Sequence, residues 1–201
     1  RAGPETSPSA GAATTIEDDA SRPLRAGDRV GVVLHGAPGG AATFDIGSYV
    51  TDQSMHESGP GRYEGTYVIP PGANFAAVPV IGHLSVAGGG TFDAVAAQLL
   101  SASSTPPGIT DFAPDAGATV NSAHPAIFVA FSAGAVPVNA SATALWVNGR
   151  DVTADCVRTP QFIQYVPSYS YPDGSVRVMV RVADRAGNVT TKAWAFTIRT
   201  R

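Results

Sequence analysis

The chain has 201 residues, 44% of them hydrophobic and only 14% charged, enough for one large core or two small ones. Its 22 Gly and 16 Pro favour short strands and frequent turns, and argue against coiled coil, collagen or wholesale disorder. A net charge of −3 with scattered basic residues argues against nucleic acid and anionic membrane as partners, and no apolar run reaches the roughly 18 residues of a membrane span.

In chain order, residues 1–12 are small, polar and Pro-bearing, a tail expected to be flexible or held by a partner. The chain begins at Arg1 rather than Met, as expected of a processed or excised protein. Residues 13–103 read as a first β-sandwich domain. Val30, Val32 and Leu34 alternate with Arg29, Gly31 and Val33, and Ala42, Phe44 and Ile46 alternate with Thr43 and Asp45. Tyr63, Gly65, Tyr67 and Ile69 continue the pattern, between the turn signals Gly59-Pro60-Gly61 and Pro70-Pro71-Gly72. Ala94–Ser101 has helix propensity, but its place at the end of a strand-rich domain predicts a last strand instead.

Residues 104–108 form a linker stiffened by Pro106-Pro107, and 109–201 a second domain. Ile127, Val129 and Phe131 alternate, Leu145 and Val147 precede the hairpin signal Asn148-Gly149, and Val176, Val178, Val180 and Val182 form a half-buried strand. Trp194, Phe196 and Ile198 close the pattern. About seven strands in this length is the size of an immunoglobulin-like sandwich, though the Cys…Trp…Cys spacing of antibody domains is absent. The fold class predicted is all-β: two tandem immunoglobulin-like sandwiches joined by a short Pro-rich linker into a rod.

Catalytic chemistry finds no pattern. The four histidines, His35, His56, His83 and His124, show no metal-ligand spacing and no His-Glu-x-x-His motif. Gly-x-Ser-x-Gly is absent, and Gly88-Gly89-Gly90 reads as a hairpin loop rather than a phosphate cradle. Cys156 is the single cysteine, which removes internal disulfides and cysteine zinc clusters. No catalytic residue and no cofactor is expected. Asp111, Asp115, Asp184 and Asn188 are weak calcium candidates, with Asp184 better read as the cap of its own turn. Tyr165, Tyr169 and Tyr171 are the ligand-binding candidates, because aromatic rings stack on sugars or anchor protein contacts. Lys192 shares parity with Trp194, Phe196 and Ile198 and is placed on the inward side of its strand.

The segments Trp146–Thr153 and Val180–Asn188, with Trp194-Ala195-Phe196, resemble bacterial immunoglobulin-like modules of modular cell-surface and extracellular proteins. Leu24–Asp28, Gly39–Ile46 and Gly61–Tyr67 are similar to the all-β module found beside them. The matching residues are mostly turn chemistry: Asn148-Gly149 and Gly187-Asn188 are expected to supply left-handed backbone at hairpins. The resemblance implies a non-catalytic structural module of a bacterial extracellular or envelope assembly. Its implied partners are copies of itself or other envelope proteins. The alternatives are a glycan- or host-surface-binding adhesin module and an accessory domain of a larger secreted enzyme.

Overall fold

Period-two alternation is realised as strand in both halves of the described residues. The computed structural model describes residues 14–201, so the tail expected at 1–12 lies outside the described residues. The chain divides into two compact units: one extends to Pro71 and includes Phe75–Ser101, the other comprises Gly72–Asn74 and Ala102–Arg201. No helix among the described residues is long and apolar enough to cross a membrane.

The first unit is built from β1 (Thr15–Asp18), β2 (Arg29–His35), β3 (Ala41–Ile46), β4 (Val50–Ser54), β5 (His56–Gly59), β6 (Arg62–Val68), β7 (Asn74–Val86) and β8 (Gly90–Ser103). They form two four-stranded sheets, ordered β1-β2-β6-β5 and β4-β3-β7-β8. Lettered in chain order from A, with β4 as C′, these are the ABED and C′CFG sheets of an immunoglobulin-like sandwich. The alternating residues of the sequence supply the core: Val30, Val32 and Leu34 from one sheet are buried with Phe44, Ile46, Val80 and Leu84 from the other. Tyr63 is buried among them without an orphaned hydroxyl, because its oxygen donates to Ala37 O at 2.7 Å and accepts from Gly40 N at 2.9 Å. Gly82 has no room for a side chain, since a Cβ there would meet Leu34 Cδ1 at 2.5 Å and Ile16 Cδ1 at 2.6 Å.

The second unit holds β9 (Gly108–Ala113), β10 (Thr119–Val120), β11 (Ile127–Ser132), β12 (Ala144–Val147), β13 (Arg150–Asp151), β14 (Cys156–Arg158), β15 (Phe162–Tyr165), β16 (Gly174–Ala183) and β17 (Val189–Ile198). The sheets are β14-β15-β11-β9 and β10-β17-β16-β12-β13. In strand letters these are DEBA and A′GFCC′. The short β10 lies parallel to β17 while the other ladders of the unit are antiparallel. The chain therefore has the immunoglobulin-like β-sandwich fold. Its second core gathers Ile127, Val129, Leu145, Ile163, Val180 and Phe196. Two of these strands, β10 and β14, were not expected from the sequence. Two or three residues are too few to show a period, and most of them are exposed.

The segment 104–107 between β8 and β9 is short, and Gly108 already pairs with Ser132. It is tied down within the second unit. Ser103 is fully buried and its hydroxyl donates to Thr105 O at 3.0 Å. Ser104 N donates to Ala73 O and to Asn74 Oδ1, and Thr190 Oγ1 donates to Pro107 O at 2.6 Å.

Candidate functional site

The three predicted tyrosines separate by depth. Tyr165 lies on the inward side of β15, and Tyr171 is buried beside it, so both belong to the core cluster. Tyr169 alone reaches solvent, at 39% exposure. Its hydroxyl is 3.0 Å from that of Tyr171, their rings are 5.0 Å apart, and the Arg150 guanidinium stands 5.6 Å over the Tyr169 ring. Burial, then the hydrogen bond to Tyr169, pushes the Tyr171 hydroxyl up, while that same bond holds Tyr169 below the usual phenol range. The trio is a folded corner with one exposed ring rather than a three-ring platform.

Of the calcium candidates, Asp184 and Asn188 meet, and they do so by bonding each other. Asp111 and Asp115 are exposed in separate segments, and Asp111 Oδ1 caps Phe112 N at 2.9 Å. Asp184 is buried and both its oxygens are taken by one residue: Oδ1 accepts Asn188 N and Oδ2 accepts Asn188 Nδ2, each at 2.8 Å. Among the described residues no three His, Cys, Asp or Glu side chains are grouped to hold a metal ion. The turn residues divide as well. Asn148 and Gly149 sit at φ 51° and 81° in the two-residue loop between β12 and β13, as the Asn-Gly signal predicts. In the β16–β17 loop Gly187 has φ 89°, whereas Asn188 is not left-handed; it works through its side chain. That corrects the expectation that both supply left-handed backbone.

Lys192 does take the inward side, half-buried. Its Nζ stands 4.3 Å over the Phe112 ring, which in turn meets Trp194 edge-on at 5.0 Å. The ring face stabilises the charge where it enters the sandwich rim.

Two groupings escaped sequence reasoning. The first is on the outer face of the β4-β3-β7-β8 sheet, where His83 of β7 sits between two carboxylates. Its Nδ1 is 2.7 Å from Asp93 Oδ1 of β8, and its Nε2 is 3.2 Å from Asp45 Oδ2 of β3. The hydrogen bond to Asp93 raises the imidazole above its ordinary range, desolvation opposes this, and Asp45 adds to the rise. His35, His56 and His124 are exposed.

The second is on the outer face of the five-stranded sheet. Trp146, Met179 and Ala193 are ladder partners in one row across β12, β16 and β17, and Arg177 opposite Ala195 forms the next row. The small alanines lower the floor beside Trp146 and Met179, leaving an open, mainly apolar depression of about 660 Å³ with Arg177 at its side. Met179 is 38% exposed, high for a large apolar side chain on a strand. The signal was available: Trp146 stands on the polar parity between the inward Leu145 and Val147.

No family model matches the chain, and no curated protein matches it. Among solved structures it is similar to the fibronectin(III)-like modules of Clostridium thermocellum CbhA, at 14% identity over 92% of this chain and 94% of that one, with a TM-score of 0.41. Murine CEACAM1b is similar at 10% identity over 92% of this chain and 100% of that one, TM-score 0.45. CopC from Methylosinus trichosporium OB3b covers 46% of this chain and 92% of its own, at 18% identity and a TM-score of 0.36. The fold is carried by the strand order of each unit, not by these likenesses.

Proposed function

We propose that this chain is a non-catalytic structural module of a bacterial extracellular or envelope assembly, acting by association with copies of itself. The observation that carries the reading is the placement of exposed apolar side chains. Val95, at 63% exposure, Leu99, at 60%, and Phe92, at 39%, all lie on one terminal strand, β8. Isolated exposed apolar residues are ordinary; three on one terminal strand, with Val95 and Leu99 on the same face of it, make a contact surface. The resemblance of the turn segments to bacterial surface modules supports the setting. Size-exclusion chromatography with light scattering across a concentration series tests it: a mass at a fixed multiple of the chain supports the reading, and a monomer throughout overturns it.

A second reading is favoured by the Trp146 depression. An indole flanked by a flat apolar floor and a guanidinium suits the face of a sugar ring, whose hydroxyls an Arg side chain can also bond. Glycan-array binding that disappears in Trp146→Ala supports this reading. Binding unchanged in that variant removes the depression as its site.

A further inference from the structure

We propose that the outer edge of β8 is a self-association seam, on which a second copy of this chain lays its own β8 antiparallel about a two-fold axis at Val95. The inference rests on the self-assembly reading above and names its surface.

β8 runs for 14 residues and ends its sheet. Such an edge presents unpaired main-chain donors and acceptors, and proteins normally guard it with Lys, Pro, bulges or a covering segment. β8 carries no Lys, Arg or Pro, and Asp93 is its one charge. Covering reaches only its far end. Leu24 N donates to Ser101 O at 2.9 Å, and residues 20–23 line a cleft with Gln98–Ser101. Among the described residues no strand flanks the stretch from Gly90 to Ala97 on that side.

The Leu24 bond also fixes which main-chain groups point outward. Ser101 faces the outer edge, and a strand repeats every second residue, so Thr91, Asp93, Val95, Ala97 and Leu99 direct their N–H and C=O outward too. The side chains of these residues are all exposed, while Ala94, Ala96 and Leu100 are buried. The residues free to pair are thus also the ones whose side chains would line the new sheet face.

A second copy is compatible with this edge in register and in charge. A two-fold at Val95 sets Val95 against Val95, Asp93 against Ala97 and Thr91 against Leu99. Every opposed pair is free of like charge, and the Asp93 carboxylate is already engaged by His83 Nδ1 at 2.7 Å. The Thr91–Leu99 pair meets the margin of the stretch that residues 20–23 flank, so the centre of the pairing is Asp93–Ala97.

The experiment has three arms on the full chain. Light scattering gives the wild-type mass and dissociation constant. Val95→Lys with Ala97→Lys places charge on the seam at exposed positions, with circular dichroism and thermal unfolding to confirm an intact fold. Val95→Cys in a Cys156→Ser background reports the axis, because directly opposed hydrogen-bonded residues lie about 5.5 Å apart, within disulfide range. Expected are a wild-type dimer, a dissociation constant raised at least about ten-fold by the folded lysine variant, and a disulfide dimer on oxidation. One fold of ten is about 1.4 kcal/mol. A wild-type oligomer that survives the lysine substitutions and yields no disulfide overturns the seam and leaves self-assembly standing through another surface. A wild-type monomer at every concentration overturns both.

Discussion

The side-chain amide of Asn188 donates to the main-chain carbonyl of Ser103 at 2.8 Å, across 85 residues of sequence. The same amide donates to Asp184 Oδ2, so one nitrogen joins the β16–β17 loop to the end of β8. Ser103 and Asp184 are both buried, so their acceptors find little bulk water in exchange. Removing the amide by Asn188→Ala is expected to destabilise the second unit by roughly 1–3 kcal/mol, the cost of leaving buried acceptors unmet. Asn188→Asp is expected to cost more, because a carboxylate would face that of Asp184. Urea unfolding of the full chain checks this. A midpoint unchanged in Asn188→Ala would show that the clasp is dispensable.

His83 gives the first unit a pH dependence of definite sign. Its folded-state pKa is raised, chiefly by Asp93, above the usual histidine value near 6.5. The stabilisation is therefore fully present below about 6.5 and is lost as pH rises through the raised folded-state value. Melting temperature is expected to fall across that window, and the fall is expected to vanish in His83→Gln. The ring is partly exposed, so salt is expected to weaken the effect. A wild-type profile matching that of His83→Gln through this range refutes the coupling.

The strands were legible where alternation lasts. Val176, Val178, Val180 and Val182 announce β16 unaided, and Asn148-Gly149 announces its hairpin, because both signals are local. What joins strands was not legible. Asp45, His83 and Asp93 meet because β3, β7 and β8 are neighbours, and a single sequence does not state that order. Tyr171 follows the same limit. Its depth is set by a loop after β15 in which period two no longer applies, so parity could not separate it from Tyr169. Trp146 is the contrary case: its outward parity is readable from the inward Leu145 and Val147 on either side of it.

Cys156 is expected to be a slow thiol. It is half-buried, its Sγ donates to Val152 O at 3.2 Å, and burial pushes its pKa up to about 11. Reactive cysteines are thiolates near neutral pH, and this one is held as the thiol. Native protein at pH 7.5 is expected to react with Ellman's reagent far more slowly than protein in guanidinium chloride. Equal rates in the two states would place Cys156 on an open surface.

The two tryptophans report opposite faces of one sheet, which makes the depression testable without a ligand. Trp194 is buried, and its Nε1 donates to Pro114 O at 2.9 Å. Trp146 stands outward beside the 38%-exposed Met179. Acrylamide is expected to quench the two populations unequally, with the accessible component lost in Trp146→Phe and the protected component left. Because the indole lies on the outer face and fills no core position, the substitution to another aromatic ring is expected to change stability by no more than about 0.5 kcal/mol. A protected Trp146 would mean that another part of the molecule, or a second copy, covers the depression. An accessible component in wild type that is lost in a stable, folded Trp146→Phe would leave the indole free to stack on an incoming ring, the condition the sugar-binding reading requires.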